Sequence, residues 1–255
     1  ISAHLKQLKQ LMIQYKAKRI AGSHYQPLID MLQDPNVSNL LQQEAYSASE
    51  WAMIQATPLK AMIPHLRLQW YFWNNDIAQA LATIPEAEQT RPLMMASIAA
   101  VEHDFLKGLL LAQQFRQASP AIQKIYLTDI QQIIVQFEGL TAHCTANFEH
   151  KYLLLSAEYS KLSNPNFDTL KLYHQTIQSA KKNGFLQYQA LANELLGRFL
   201  MNYPLGDSSN KHLKQAYQLY GLWGCAVKQQ AFEKEFPELF AAKPVFTNEL
   251  HSLSV

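Results

Sequence analysis

The sequence predicts an all-α protein built from antiparallel pairs of helices. Apolar residues recur at three- and four-residue spacing through most of the chain, which is the period of an amphipathic helix. No segment has the alternation of apolar and polar residues that is typical of a half-buried strand. Glycine is also scarce, with 8 residues in 255, whereas an average chain of this length has roughly 18. Folds rich in hairpins and glycine loops are therefore disfavoured.

Three helices are predicted in the first 55 residues. In the first of them, Leu5, Leu8, Met12 and Tyr15 share one face. Turn-forming residues separate the three segments, for example the pair Gly22-Ser23 after the first. We expect helices over residues 3–20, 28–33 and about 38–55.

The helices predicted after residue 58 begin at recognisable capping residues. Asp76 can cap the helix that follows it, and Pro120 stands at a first helical position after Ser119. The short breaks between helices require consecutive helices to pack antiparallel. The expected helices cover residues 65–73, 77–84, 93–114, 120–137, 148–162, 167–182, 186–202, 208–222 and 225–235.

These segments are expected to form a single domain over residues 1–240, which can be divided near residues 115–120. Pro237 and Pro244 interrupt regular structure, so the tail over 241–255 is expected to be loosely ordered. Hydrophobic residues make up 48% of the chain, enough for a substantial core.

Charge and apolar length exclude two classes of partner. The net charge of +2 is too small to indicate nucleic-acid binding. The longest apolar stretch covers residues 92–101, whereas a membrane span needs about 20 residues.

No secretory signal is visible, so we expect a cytoplasmic protein with Cys144 and Cys225 as free thiols, and a single disulfide is the alternative. The chain begins with Ile rather than Met, which favours a segment of a longer protein.

Some residues fit a helical repeat. Tetratricopeptide-type repeats have an aromatic residue in the first helix and a small residue nine positions later, and Tyr71 and Ala80 fit this offset. Leu196-Gly197 matches the Leu-Gly pair of another unit. The distance from Leu155 to Leu196 is longer than the usual repeat of about 34 residues. The sequence therefore predicts a divergent TPR-like α-solenoid, although a plain helical bundle would satisfy most of the same spacing.

A longer series of short words runs through the C-terminal part of the chain. It includes Asn147 to Leu154, Asn183-Gly184-Phe185, Ala190 to Leu195, Trp223-Gly224 and Glu235-Phe236-Pro237. This series resembles the helical-repeat region of large bacterial multidomain kinases. Those proteins join a serine/threonine-kinase-like domain, an AAA-type ATPase, the helical repeats, a GAF domain and a sensor histidine kinase.

The resemblance covers about residues 147–237 and extends less specifically upstream to Leu5. It has departures, since Pro204 to Asp207 replaces a basic turn. No kinase, ATPase or histidine-kinase motif lies in these 255 residues. The resemblance therefore implies only the scaffold between the signalling domains.

Motifs of catalysis and cofactor binding are missing from the sequence. There is no phosphate-binding Gly-x-x-x-x-Gly-Lys-Ser/Thr, no His-Glu-x-x-His and no Gly-x-Ser-x-Gly. His143, Cys144 and His150 are the nearest approach to a metal cluster, but zinc usually needs a fourth ligand. Cys144 is expected to pack beside the turn before Phe148. We therefore predict no enzymatic activity, no cofactor and no metal for this region.

Three other patterns have a structural and a functional interpretation. Glu102, His103 and Asp104 are consecutive on a helix, so they point in different directions and are expected to lie on a solvated face. The aromatic run over residues 70–73 could stack on bases, but it is expected to fill the grooves between helices. A basic run near the N-terminus could meet nucleic acid or an anionic membrane, but a solvated face is expected; its residues are Lys6, Lys9, Lys16, Lys18 and Arg19.

The helix over residues 186–202 carries the candidate partner surface. One half of its wheel is mostly apolar: Tyr188, Leu191, Ala192, Leu195, Leu196 and Phe199. The candidate surface is on the other half and consists of Asn193, Glu194, Gly197 and Arg198. Glu194 and Arg198 have the spacing of a helical ion pair. The pair is either a surface ion pair without function or part of a concave groove that holds a partner. Because exposed pairs contribute little, replacing both charges by Ala is expected to leave the fold nearly intact.

These observations predict a non-catalytic helical-repeat scaffold for protein–protein or interdomain contacts in a larger signalling protein. The partner would be a protein, with no nucleic acid, no membrane span and no cofactor. A freestanding cytosolic adaptor or effector that binds a segment of a host or partner protein is the alternative. A third hypothesis is an all-α enzyme whose site is assembled from distant residues. A pocket with several inward-facing carboxylates or histidines would favour it.

Overall fold

The structure is a computed structural model that describes residue 52 and residues 58–94, 97–204 and 206–240. Within these ranges the chain forms ten α-helices and no strands, which confirms the all-α prediction. Several predictions fall on residues that the structure does not describe. They are the helices 3–20 and 28–33, most of the helix 38–55, the basic run from Lys6 to Arg19 and the tail 241–255.

The α-helices follow one another with short connections, two of which contain a 3-10 turn: Arg91–Met94 and Phe115–Gln117. A further 3-10 turn, Pro58–Met62, precedes the first of the described α-helices. We number the helices in chain order as α1 (Ile63–Trp73), α2 (Ile77–Thr90), α3 (Ile98–Gln114), α4 (Pro120–His143), α5 (Thr145–Ser163), α6 (Phe167–Lys182), α7 (Leu186–Leu200), α8 (Gly206–Trp223), α9 (Ala226–Glu235) and α10 (Pro237–Phe240).

Polar caps and left-handed residues define many helix ends. Asp76 accepts a hydrogen bond from the Gln79 N–H at the start of α2, and Asn166 forms a capping box with Thr169 at the start of α6. Asn75, Gly184 and Gly224 have φ of 60°, 77° and 87°. Each of these three turns is closed by a hydrogen bond of 2.9 Å from a backbone N–H to the carbonyl oxygen five residues earlier. The pairs are Asp76 N to Tyr71 O, Phe185 N to Ala180 O and Cys225 N to Tyr220 O.

Three helix boundaries differ from the predicted ones by five or six residues, and the others differ by three residues at most. α2 continues through Pro85 to Thr90, because Ala87 is fully buried and the Thr90 hydroxyl bonds the His65 ring. α3 begins at Ile98 instead of residue 93, since Arg91–Met94 forms a 3-10 turn and Ser97 caps the helix. α4 continues past residue 137 to His143.

The helices pack in a regular order. Each of α1 to α9 contacts the next helix along the chain, and α1, α3, α5 and α7 also contact one another in succession. These four helices therefore form a continuous row, which we call the inner row. None of the described helices combines the length and apolar composition needed to cross a bilayer.

The two ends of this row meet at Trp73. Its ring lies 4.9 Å from the Trp223 ring and 6.4 Å from the rings of Tyr188 and Tyr220, measured between centroids. The end of α1 thus packs against α7 and α8, although these helices are far apart in sequence. One core cluster runs from Leu66 in α1 to Phe232 in α9.

Candidate functional site

A cleft of about 440 Å³ lies along the inner row of helices, and we call it the central groove. Its residues come from α1, α3, α5, α7 and α9, apart from Ile77 of α2 and three residues in turns. Its apolar lining consists of Phe72, Ile77, Leu109, Ala112, Leu162, Leu191, Leu195 and Phe199. Its polar lining consists of Asn75, Gln113, Arg116, Glu158, Lys161, Glu194, Arg198, Asn202, Lys228 and Glu235.

Glu194 is the most heavily bonded carboxylate of the groove. It accepts hydrogen bonds from the Tyr220 hydroxyl at 2.7 Å, from Lys228 Nζ at 3.2 Å and from Arg198 Nε at 3.1 Å. Burial alone would raise the pKa of this carboxyl. The charges of Lys228 and Arg198 and the hydrogen bonds outweigh burial, so the pKa of Glu194 lies below its usual value.

Arg198 connects this buried carboxylate to an exposed one. Its Nη1 and Nη2 atoms donate to the two oxygens of Glu235 at 2.5 and 2.7 Å. Its guanidinium also lies 5.4 Å from the centroid of the Phe236 ring. Burial would lower the pKa of the guanidinium, but the bonds to Glu235 and the charge of Glu194 raise it. Arg198 is therefore a fixed positive charge on the groove wall.

Glu158 on α5 repeats the arrangement of Glu194 on α7. Each glutamate is buried, and each pairs with a cation of its own helix, Lys161 in one case and Arg198 in the other. Each also accepts a hydrogen bond from a tyrosine of the next helix, and the Tyr173 hydroxyl is 2.5 Å from Glu158. The tyrosine pKa values are raised, first by burial and then by the neighbouring carboxylate. The groove wall therefore contains the same arrangement of glutamate, cation and tyrosine twice.

The structure corrects the predicted exposed half of the 186–202 helix. Asn193 is buried, where its amide donates to the Gln189 carbonyl and its oxygen lies 2.9 Å from His212 Nδ1. Gly197 is also buried, and its carbonyl accepts a hydrogen bond from the Ser209 hydroxyl. Both residues face α8, so they do not line a free surface.

The predicted ion pair between Glu194 and Arg198 is confirmed, but its predicted exposure is wrong for Glu194. The Glu194 side chain is 5% exposed and the Arg198 side chain 31%. α7 packs against α5, α6 and α8, and Lys228 of α9 reaches Glu194, so little of its circumference meets solvent. Of the four candidate residues, Arg198 alone keeps substantial access to the groove.

The predicted solvated face at Glu102, His103 and Asp104 is wrong as well. Glu102 pairs with the buried Lys151 and accepts a hydrogen bond from the Tyr188 hydroxyl. Asp104 pairs with Arg91 and accepts from Gln136, whereas His103 is buried beside His65. The three side chains do point to different partners, as predicted. They are covered because α3 is surrounded by α1, α2, α4 and α5.

The structure separates the residues of the weak metal pattern. Cys144 is partly buried between α4 and α5, whereas the His150 ring is fully buried and stacks at 4.3 Å on Phe185 and 5.0 Å on Tyr188. Within the described ranges, no group of three His, Cys, Asp or Glu residues could hold a metal ion. Cys144 and Cys225 are both free thiols.

The aromatic run over 70–73 packs in the core as predicted. Trp70, Phe72 and Trp73 are buried, and Tyr71 is partly buried. Sequence reasoning did not identify Glu158 and Lys228 as groove residues. Glu158 stands one turn after the buried Leu154 on α5, so a charge at a core-facing position was the available signal.

Comparisons of the chain with protein-family models, with curated proteins and with solved structures returned no match. The resemblance to the helical-repeat region of multidomain kinases therefore stays a prediction.

Proposed function

We propose that this chain is a non-catalytic, TPR-like scaffold whose central groove binds an extended segment of a protein partner. The partner is either another domain of a larger signalling protein, as the kinase resemblance implies, or a separate protein. The observation that carries the proposal is the position of the groove along the inner row formed by α1, α3, α5 and α7. In solenoid repeats, the extended concave surface lined by successive repeats is the binding surface.

The regularity of the helix array supports a repeat origin. The turns at Gly184 and Gly224 share the same left-handed conformation and the same closing hydrogen bond. Their separation in sequence equals, to within one residue, the separation of Leu155 and Leu196. Two successive helix pairs therefore have closely similar lengths, as stacked repeats do.

The groove has the chemistry needed to hold a peptide backbone. Asn75 and Gln113 are exposed at its rim, and a carboxamide offers both hydrogen-bond donors and an acceptor. The Asn202 amide nitrogen already donates to the Arg198 and Phe199 carbonyls, so this residue offers its oxygen. The backbone of an extended segment needs partners of both kinds. Leu162 and Leu195 are partly exposed beside them and provide apolar contacts for side chains.

Three carboxylates line the groove, a feature that would favour an enzyme. Each of them is engaged by a cation: Glu158 by Lys161, Glu194 by Lys228 and Arg198, and Glu235 by Arg198. A general acid at neutral pH needs a raised pKa, whereas the pKa of Glu194 is lowered. The described lining residues include no histidine, cysteine, serine or threonine to act as a nucleophile. The groove therefore favours binding over catalysis.

The test is a selection of peptides followed by blocking of the groove. A phage-displayed library of random peptides is selected on the full chain, and the affinities of the selected peptides are measured by calorimetry. Gln113→Trp should fill the groove and weaken binding by about tenfold or more, which corresponds to 1.4 kcal/mol. Gln132→Trp places the same side chain on the exposed surface of α4 and should leave binding unchanged. Selected peptides that bind both variants equally would overturn the proposal.

A further inference from the structure

We infer that the segment bound by the groove is acidic and that Glu235 occupies its carboxylate position in the unbound protein. This inference rests on the proposed binding function and specifies the chemistry of the partner. Its starting point is the two-pronged bond from Arg198 to Glu235, with N–O distances of 2.5 and 2.7 Å. Paired N–H donors of this kind are the geometry in which a guanidinium binds any carboxylate.

Arg198 bonds its two carboxylates with different nitrogen atoms, and the two carboxylates differ in burial. Its Nε atom donates to Glu194, which is buried and held by Lys228 and Tyr220 as well. Its terminal nitrogens face Glu235, whose side chain is 42% exposed. Glu235 is the last residue of the short helix α9 and bonds no other cation among the described residues. Because an exposed ion pair contributes little to stability, an incoming carboxylate can replace Glu235.

The charge of the groove supports an acidic occupant. Its lining holds the cations Arg116, Lys161, Arg198 and Lys228 and the carboxylates Glu158, Glu194 and Glu235. When Glu235 is displaced, four cations remain beside two carboxylates. Arg116 is exposed and forms no ion pair within the part of the chain that the structure describes. The opened groove therefore has a positive potential that attracts a negatively charged segment.

The apolar lining favours a protein segment as the source of that negative charge. Leu162 and Leu195 can contact an apolar side chain of an extended peptide, and an acidic side chain two residues further along faces the same way and can meet Arg198. A sugar-phosphate backbone carries no apolar side chains for these leucines to contact, so it fits the groove less well. We therefore commit to an acidic, leucine-containing protein segment as the occupant.

The test uses two fluorescein-labelled, acetylated octapeptides in which every second residue is leucine or glutamate in turn, so that both face the same way, with serine between them. In the second peptide, glutamine replaces glutamate. Fluorescence polarisation measures their affinities for the full chain and its variants. Glu235→Gln removes the internal carboxylate and should tighten binding of the glutamate peptide by about two- to fivefold, the effect of releasing a weakly occupied site. The affinity of the Glu235→Gln variant for the glutamine peptide should equal that of the unmodified chain.

Three further variants make the result specific. Arg198→Lys keeps the charge but loses the two-pronged geometry, so it should abolish the gain when combined with Glu235→Gln. Arg116→Gln should weaken the binding of the glutamate peptide and leave the binding of the glutamine peptide unchanged. Glu86→Gln is the matched control, because it removes an exposed carboxylate that pairs with Arg67 away from the groove. This control should bind both peptides as the unmodified chain does.

The outcomes separate this inference from the proposed function. Equal affinity for both peptides, with both blocked by Gln113→Trp, would retain the binding groove and overturn its acidic specificity. Failure of the glutamate peptide to bind even the Glu235→Gln variant would also overturn the inference, whereas the library selection decides the binding function independently. A single-stranded oligonucleotide that displaces the peptide at lower concentration would identify the wrong class of partner. A dimer in sedimentation velocity that Gln113→Trp dissociates would identify a second copy of the chain as the occupant.

Discussion

Buried charged side chains define the fold at the scale of single residues. Lys151 is fully buried, with its Nζ atom 3.8 Å from the centroid of the Tyr188 ring and 4.9 Å from that of Phe105. Burial lowers the pKa of this lysine even though it pairs with Glu102. Lys228 is equally enclosed and pairs with Glu194. A charge in such a position is tolerated only while its partner remains.

The first prediction concerns the removal of one such partner. Glu194→Ala leaves Lys228 buried without a counter-ion and should reduce the free energy of unfolding by about 3–5 kcal/mol. Glu86→Ala breaks an exposed pair with Arg67 and should change it by no more than about 1 kcal/mol. Urea unfolding followed by circular dichroism compares the two variants. Equal midpoints would mean that Glu194 is solvated, as the sequence first suggested.

Two buried histidines predict how stability depends on pH. His103 and His150 have no hydrogen-bond partner for either ring nitrogen among the described residues. Burial, reinforced by the neighbouring His65 in one case and Lys151 in the other, lowers their pKa values to about 4 and about 3. Both values lie below the unfolded-state value of about 6.5. The unfolded chain therefore binds more protons below that pH, and the stabilising contribution of the neutral rings is lost as the pH falls.

The second prediction follows from this difference in proton binding. As the pH falls from about 6 to about 4, each histidine should lower the free energy of unfolding by about 1.4 kcal/mol per pH unit. His150→Phe retains a ring between Phe185 and Tyr188 but cannot titrate, so its urea midpoint should fall less steeply with acidification. His143→Gln, at an exposed position, serves as the control. An unchanged slope in His150→Phe would disprove the assignment.

At the scale of helices, close packing between α7 and α8 depends on a glycine. A Cβ atom at Gly197 would lie 2.8 Å from Leu213 Cγ and 3.2 Å from the Leu213 backbone nitrogen. The Ser209 hydroxyl also bonds the Gly197 carbonyl at 2.9 Å. Gly139 on α4 differs, because a Cβ atom there would meet nothing within 4 Å. The two helical glycines therefore have opposite roles.

The third prediction uses these glycines as a pair. Gly197→Ala should destabilise the protein by about 1–3 kcal/mol, since the added methyl group forces α8 away. Gly139→Ala should stabilise it by up to about 1 kcal/mol, because alanine is the better helix former and has open space. Thermal unfolding measures both. A stabilising Gly197→Ala would show that the α7–α8 interface adjusts without strain.

Prediction from the sequence was most successful for helices with strong local signals. The segment 167–182 was predicted with the bounds that α6 has, because Asn166 caps one end and the pair Asn183-Gly184 ends the other. Predictions were weaker where tertiary contacts override a local signal. Pro85 suggested the end of α2, but the burial of Ala87 keeps the helix intact to Thr90.

At the scale of the whole molecule, the contacts of Trp73 join the first described helix to the last third of the chain. An open row of repeats would let its terminal units unfold separately. Here the Trp73 ring packs against Tyr188, Tyr220 and Trp223, so loosening α1 exposes the core of α7 and α8. The described helices should therefore unfold together.

The fourth prediction tests this cooperativity. Trp73→Ala should lower the free energy of unfolding by about 3–5 kcal/mol, as expected for a truncated buried aromatic residue. Trp73→Phe should be less destabilising. In the unmodified protein, urea transitions measured by far-ultraviolet circular dichroism and by tryptophan fluorescence should coincide. Separate transitions would indicate that α1 and the later helices unfold independently.

The sequence alone determined the fold class and most helix ends of this protein, because periodicity, caps and glycine turns act over a few residues. Only the tertiary structure decided how much of each helix is buried beyond its apolar side. α7 looked amphipathic, yet its neighbours cover Asn193, Glu194 and Gly197 as well as its apolar half. The bonds from Arg198 to Glu235 and from Lys228 to Glu194 join α7 to α9. No local pattern specifies such pairs, because they form only when packing brings distant helices together and removes water from the charges between them.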